Sequence, residues 1–351
     1  MNILVFVVLA KLAGEDRLTG IAEWVFHRRK RLARALGLSR PQSPHRTTYS
    51  RILGEVIDVD EFEKAVHSFF ASTLKVKEGI QVAIDGKALR GSIPAGQTRG
   101  VHLLAAYVPD EGWVLAQVEV DGKENEIKAA PRLLESIDLR GKIVSADAML
   151  AQRELSVQIV QAGGQYVWTV KDNQPKLRDD IATLFEGESC VAGFSPAIED
   201  FPSNTTTDKG DGRIEQRTLT ASSDLNEYLD WPHAQQVFKI RRHVQRVKDS
   251  KTTDEITYGI TSLGPHQADP KRLSEIVRTH WQIENGLHYR RDETLREDWC
   301  HLRMGHAQRM MAAINNLVLG LLLRRGVRNV PQKRRLYAAH WNQALKLITS
   351  A

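Results

Sequence analysis

Cysteine is nearly absent from this chain: among 351 residues only Cys190 and Cys300 carry a thiol. That is too few for a disulfide framework and the wrong spacing for a zinc site, so no covalent staple is expected and a reducing compartment fits. Long apolar runs are lacking as well. Residues 1–10 are apolar but fall well short of the roughly 20 needed to cross a bilayer. They lack the basic leader and small-residue cleavage site of a secretory signal and run into Lys11 and Glu15. A buried helix is expected there, and no membrane role. Internal repeats and low-complexity tracts are missing, which excludes solenoid and disordered-array classes. Neither sign of charge dominates: 49 Lys and Arg stand against 43 Asp and Glu, a net charge of +6. A basic excess of that size favours a polyanionic partner without identifying one.

At this length a large core and roughly two domains are expected. Residues 1–76 read as a small helical domain, with Ile21, Trp24, Val25, Leu32, Leu36, Ile52, Val56, Phe62 and Phe69 at helical spacing. Its basic run, Arg28, Arg29, Lys30, Arg31 and Arg34, precedes a turn at Arg40-Pro41 and a second short basic helix ending near Arg51. A helix-turn-helix on DNA uses such residues, and so does the solvated face of an ordinary helix. From Gly79 the pattern turns to strands at 81–85, 101–108 and 113–120, the last two joined by Pro109-Asp110-Glu111-Gly112, which is hairpin chemistry.

A helix over 126–136 follows behind Asn125 as N-cap, then a strand at 142–146, a helix at 151–162, a strand at 166–171 and a helix from Pro175. Three strands in meander followed by helix, strand, helix, strand, helix is the RNase H-like order. The fold class is therefore α/β, a mixed sheet with flanking helices, and the catalytic domain is expected over 77–330. Within it, 187–265 reads as a β-rich insertion with strands at 214–221, 236–243 and 255–261. Helical spacing returns over 270–297 and 306–325, before a basic tail, 331–351, that carries Lys333-Arg334-Arg335.

Asp85 closes one apolar strand and Asp147 closes another that the topology sets beside it. Neighbouring strands lie about 4.8 Å apart, so two such carboxylates can share a metal at the strand ends, where ligands collect in sheets of this kind. Either Asp alone is as well explained as a turn residue. A third acid is expected from a helix crossing the sheet, where Glu284 shares a stripe with Val277, Trp281 and Leu287. Arg291 returns to that face two turns later as a phosphate contact. The alternatives are that Glu284 pairs with Arg278 or Arg291 on its own helix, or that Asp292, Glu297 or Asp298 is the third ligand.

Several motifs occur together in order: Ile84-Asp85-Gly86-Lys87 with Leu89-Arg90-Gly91-Ser92, Val101-His102-Leu103, Asn125-Glu126-Ile127, Ser145-Ala146-Asp147-Ala148-Met149 and Lys171-Asp172-Asn173-Gln174. They are followed by Gly212-Arg213-Ile214-Glu215, His280-Trp281-Gln282-Ile283-Glu284-Asn285 with Leu287-His288, and Glu297-Asp298. Over nearly its whole length the chain resembles the ISAs-type insertion-sequence transposases, the family that contains the H-repeat-associated proteins.

The resemblance implies an RNase H-like domain with a β insertion and a DDE triad carried onto Asp85, Asp147 and Glu284. It also implies two magnesium or manganese ions, element terminal repeats and target DNA as partners, a homo-oligomer on paired ends, and a bacterial-type cytoplasm in contact with the nucleoid. In better-known DDE groups the glutamate helix carries a tyrosine, an arginine and a lysine; here those places hold Val277, His280 and Arg291. Arg278 is then a substitute phosphate contact and His280 a weaker one. The chain has Asp211 where the family often has His before Gly-Arg, and Arg291 and Glu293 where a more apolar stretch is usual. The family's N-terminal region usually starts further upstream than Met1, which raises a shortened gene copy.

Lys87 and Arg90 follow the first Asp closely and suit phosphates, as they also suit a solvated turn. Lys171, Asn173 and Gln174 end a strand at the expected active edge, where they would touch DNA or cap the turn. His102 faces either the metals or the core. Cys300, His301 and His306 lack a fourth ligand for zinc. The function expected is metal-dependent DNA cleavage and strand transfer at element ends. The alternatives are a catalytically silent remnant that only binds DNA and a metal-dependent nuclease without strand transfer.

Overall fold

A computed structural model describes residues 2–73, 78–122, 124–186, 201–210 and 212–349. Cys190, Asp211, the 76/77 domain boundary and the first part of the expected insertion lie outside the described residues. The chain opens with helices α1 (Asn2–Leu12), α2 (Leu18–Ala35), α3 (Arg46–Arg51) and α4 (Val59–Ala71). There follow strands β1 (Ile80–Ala88), β2 (His102–Val108) and β3 (Trp113–Val120), helix α5 (Glu126–Glu135), strand β4 (Lys142–Ala146), helix α6 (Arg153–Gln161), strand β5 (Gln165–Val170) and helix α7 (Pro175–Glu186). Strands β6 (Ser203–Gly210), β7 (Arg213–Ser222), β8 (Gln236–Arg246) and β9 (Thr252–Thr261) precede helices α8 (Pro270–His280), α9 (Ala307–Arg324), α10 (Val330–Ala339) and α11 (Trp341–Thr349).

The strands form one mixed nine-stranded sheet in the order β3-β2-β1-β4-β5-β9-β8-β7-β6. β1, β4 and β5 are parallel, β2 and β3 antiparallel, and the pairings from β5 through β9 to β6 all antiparallel. The first five strands have the RNase H-like order. The later four extend the same sheet, so the β-rich insertion is a continuation of it beyond β5.

Two compact units divide the chain: residues 1–76, 86–129 and 283–351 make one, and 77–85 with 130–282 the other. Strand β1 leaves the second unit at Asp85 and enters the first at Gly86. In the first unit α1, apolar almost throughout, is buried from Phe6 to Leu12 and packs on α2, α9, α10 and α11. No described helix is long and apolar enough to cross a membrane. Phe70 of α4 stacks on Trp113 of β3 with ring centroids 5.3 Å apart, and Gly320 of α9 gives that ring its space. At the β2–β3 turn Gly112, at φ 79°, adopts a left-handed conformation that glycine takes without steric cost.

Two expectations need correcting here. The segment read as a basic tail folds as α10 and α11, and Arg334 is buried, its Nε donating to the Lys11 carbonyl at 3.0 Å and its Nη2 2.5 Å from Asp16. Residues 36–45 separate α2 from α3, longer than the three to four residues of a helix-turn-helix turn.

In the second unit, Ile143, Val167, Leu219 and Phe238 of the sheet meet Leu273 and Ile276 of α8 in one buried cluster. Each such side chain contributes about 1.5–3 kcal/mol on burial. Asp269 starts α8 by accepting the Arg272 amide at 2.8 Å, with Pro270 at the first turn, where its missing N–H costs nothing. Beneath the strand ends Gln81 Nε2 donates to Ser145 Oγ at 2.7 Å and to the Ile276 carbonyl at 2.8 Å. These bonds tie β1, β4 and α8 together in a buried layer, where an unpaired amide would be costly.

Candidate metal and nucleic-acid site

Strands β1 and β4 pair in parallel as far as Ile84 opposite Ala146. The next residues are Asp85, where β1 runs on past its pairing with β4, and Asp147, just beyond the end of β4, so both aspartates stand at the same level of adjacent strands. The apolar runs before them, Val82 to Ile84 and Ile143 to Ala146, are buried and fix the register, while each Asp is half-buried at the rim.

The same unit places Lys171, His280, Asn173 and Gln174 around this rim. Lys171 Nζ, past the end of β5, stands 3.5 Å from Asp147 Oδ1. His280, the last residue of α8, is buried, with Nδ1 3.3 Å from Ser145 Oγ. Burial pushes its pKa below the ordinary imidazole value, although Asp85 and Asp147 both pull it upward. Asn173 Nδ2 donates to the Ala148 carbonyl at 2.6 Å and Gln174 Nε2 to the Ala151 carbonyl at 3.1 Å. Both amide groups hold the loop that follows Asp147. Arg278 pairs with Asp208 of β6 at 2.8 Å.

Glu284 belongs to the first unit. The helix expected to run unbroken over 270–297 turns at Trp281 and continues as π-type turns, Glu284–His288 and Arg290–Thr294. Bonds from i to i+5 widen the turn, so seven residues no longer make two revolutions and the predicted stripe is lost. Glu284 is exposed, whereas Arg291, expected on the same face as a phosphate contact, is fully buried. Its Nε and Nη2 each stand 2.8 Å from Glu297 Oε2, and Asn315 Nδ2 donates to Glu297 Oε1 at 2.8 Å. Glu297 is thus a buried counter-ion, and the Arg291 guanidinium is closed off from solvent. Lys87 pairs with Asp292 at 2.6 Å and is almost covered. The Arg90 side chain is open to solvent while its backbone N–H donates to Asp298 Oδ1 at 3.0 Å. His306, weighed for zinc, has Nε2 2.7 Å from the Ile57 carbonyl.

Two further charged groups come together only in the fold. Glu126 opens α5 with its Oε1 2.8 Å from His102 Nε2, and a Cβ at Gly86 would fall on that carboxylate. In the sequence its motif has the local form of a helix start. Glu215 of β7 is buried among Arg213, Arg217 and Arg242, and the Arg242 guanidinium holds its carboxyl below the usual range. Arg213 and Arg217 flank it at spacing two on its own strand, and the β7–β8 register adds Arg242, the part of the set that the sequence does not show.

The donor chemistry at Asp85 and Asp147 suits a hard divalent cation: two carboxylates side by side, with the Lys171 ammonium already beside one of them. Among the described residues no three His, Cys, Asp or Glu side chains come together as a set able to hold a metal ion.

Comparison with known proteins gives two family matches, the "Transposase DDE domain" over residues 74–321 and a "DDE_Tnp_1-associated" region over 1–70. "Putative transposase YncI" of Escherichia coli O157:H7 is 31% identical over 327 residues, covering 92% of this chain and 81% of that protein. "H repeat-associated putative transposase YhhI" of Escherichia coli K12 is 30% identical over 248 residues, 69% of this chain and 63% of its own length. The solved piggyBac transposase synaptic complex with hairpin DNA aligns with 97% of this chain and 82% of that one, at a TM-score of 0.43 and 10% identity.

Proposed function

Because this chain belongs to the Transposase DDE domain family, we propose that it is the transposase of an insertion sequence, which cuts DNA at the element's ends and joins the freed 3′ hydroxyl to target DNA. The observation that carries this reading is the register of β1 against β4, one step short of Asp85 and Asp147. Two carboxylates at one level, where the β1–β4 pairing stops, suit a two-metal phosphoryl-transfer site.

Asp85 and Asp147 would hold the divalent cations, magnesium or manganese, and Glu284 would supply the third carboxylate. When bound, two such ions activate an oxygen nucleophile and stabilise the leaving oxygen. Lys171 balances Asp147 in their absence and is exposed enough to turn to a DNA phosphate. Arg90 and Arg278, both open to solvent, are further phosphate contacts. Asn173 and Gln174 position the Asp147 loop through its carbonyls, and Gln81, Ser145 and His280 keep the floor beneath it dry and closed. Terminal-repeat and target DNA are the partners, bound by a homo-oligomer on paired ends in a bacterial cytoplasm.

The test is cleavage of a duplex carrying the gene's own flanking repeats, with magnesium or manganese, by the unmodified chain and by Asp147→Ala. Metal-dependent cutting that is lost in the variant is the expected result, and joined products establish strand transfer. Cutting without joining leaves a nuclease; binding without cutting by the unmodified chain overturns the catalytic reading. Phosphate contacts supply most affinity, so Asp147→Ala should still bind DNA.

A further inference from the structure

Lys87 stands two residues after Asp85 and Asp292 eight residues after Glu284, and the first unit brings them 2.6 Å apart. The Lys87 side chain retains only 10% of its exposure and that of Asp292 29%. A covered ammonium already neutralised by a carboxylate is a poor phosphate contact, because reaching out would strand Asp292 in a poorly hydrated place. Asp292 Oδ1 is itself buried without a hydrogen-bond partner among the described residues, so Lys87 is the donor on which that carboxylate depends.

The surrounding contacts fasten the same two stretches of chain. The Arg90 N–H donates to Asp298 at 3.0 Å. Gly91 lies so close to the carbonyls of Asp298 and Cys300 that a Cβ would come within 2.8 Å and 2.7 Å of their oxygens. Glu297 is anchored to α9 by Asn315. The π-type turns in between are a rare form that runs in single turns and depends on tertiary contacts for its shape.

We infer that Lys87 and Asp292 are a positioning pair for the catalytic carboxylates, locking the chain that follows Asp85 to the π-helical segment that follows Glu284. This rests on the transposase reading above. A strand and a helix carry a displacement along their axes, so slack at the pair is felt at the carboxylate each element bears. Misplacement by about an ångström at a reacting centre costs on the order of 100-fold in rate.

The experiment uses the full chain, terminal-repeat duplex and manganese, with Lys87→Met, Asp292→Asn and the charge exchange Lys87→Glu with Asp292→Lys. Each single variant is expected to lose about 10- to 100-fold in cleavage rate, as partners of metal-site residues do. DNA affinity and its salt dependence should stay unchanged, and the exchange should recover part of the rate. Hydrogen exchange over 284–299 should quicken equally in both single variants, a readout that needs neither metal nor cleavage; Lys87→Arg, which keeps the charge, covers a Lys87→Met chain that fails to fold. Weaker DNA binding with a salt slope smaller by about one in Lys87→Met, alongside a fully active Asp292→Asn, would make Lys87 a DNA contact and overturn the pair. If the unmodified chain does not cut, the transposase reading fails by itself, and hydrogen exchange still decides whether the pair holds the segment.

Discussion

Lys171 and Asp147 are ion-paired at 3.5 Å across the carboxyl edge of β4 and β5, with about half of each side chain open to solvent. A cation arriving at Asp147 competes with that ammonium. An exposed pair of this kind is worth about 0.2–1 kcal/mol, so Lys171→Met should tighten manganese binding by no more than about five-fold, read by calorimetry without DNA. Cleavage should fall in the same variant, since a phosphate contact is lost. Weaker manganese binding would mean that Lys171 supports the carboxylates instead of competing for them.

Arg291 and Glu297 form a pair sealed from solvent. Removing one partner of a buried pair strands the other charge and costs about 3–5 kcal/mol. Arg291→Ala should therefore lower the unfolding free energy by about that amount in a denaturant titration. The salt slope of DNA binding should be unaltered in whatever fraction remains folded. A stable variant with a shallower slope would restore Arg291 as a phosphate contact.

His280 gives the stability a pH dependence. Burial lowers its folded pKa below the ordinary value of 6.5, so the unfolded chain takes up the proton first as pH falls. Its contribution is complete above about pH 6.5 and declines below it toward the lowered folded value, by at most about 1.4 kcal/mol per pH unit. Melting temperatures from pH 7.5 to 5.5, measured in chelator, should drop for the unmodified chain and drop less for His280→Asn. Equal slopes would exclude the histidine as the source.

Gly320 faces the Phe70 ring, which is stacked on Trp113. A methyl group there must displace the ring. Overpacking costs about 1–3 kcal/mol, against a gain of up to about 1 kcal/mol for alanine over glycine inside a helix. Gly320→Ala should be destabilised by about 1–2 kcal/mol in thermal unfolding, and equal or greater stability would show that the α4–α9 contact is slack.

Much of the sheet is legible because β1, β2, β4 and β5 are short apolar runs buried almost throughout, bounded by turn and polar residues. Strand β6 has no such signature: Ser203-Asn-Thr-Thr-Thr-Asp-Lys-Gly offers no apolar face, and it is a strand because β7 supplies hydrogen bonds to this edge. Asp85 and Asp147 stood out as acids at the ends of apolar runs. Glu126 did not, since a carboxylate in the first turn of a helix satisfies the helix dipole and asks for no other explanation.

The sequence by itself determined the order of elements from β1 to α7, the two aspartates that close apolar runs, and local turns such as the one at Gly112, because these depend on neighbours within a few residues. Only the tertiary structure decided that Arg291 is buried, that Lys87 answers to Asp292, 205 residues away, and that Asn173 and Gln174 hold a loop. A residue's charge and spacing state what it can bind. Which partner it meets depends on packing between segments remote in the chain, where a widened helical turn is enough to carry a side chain from one face to the other.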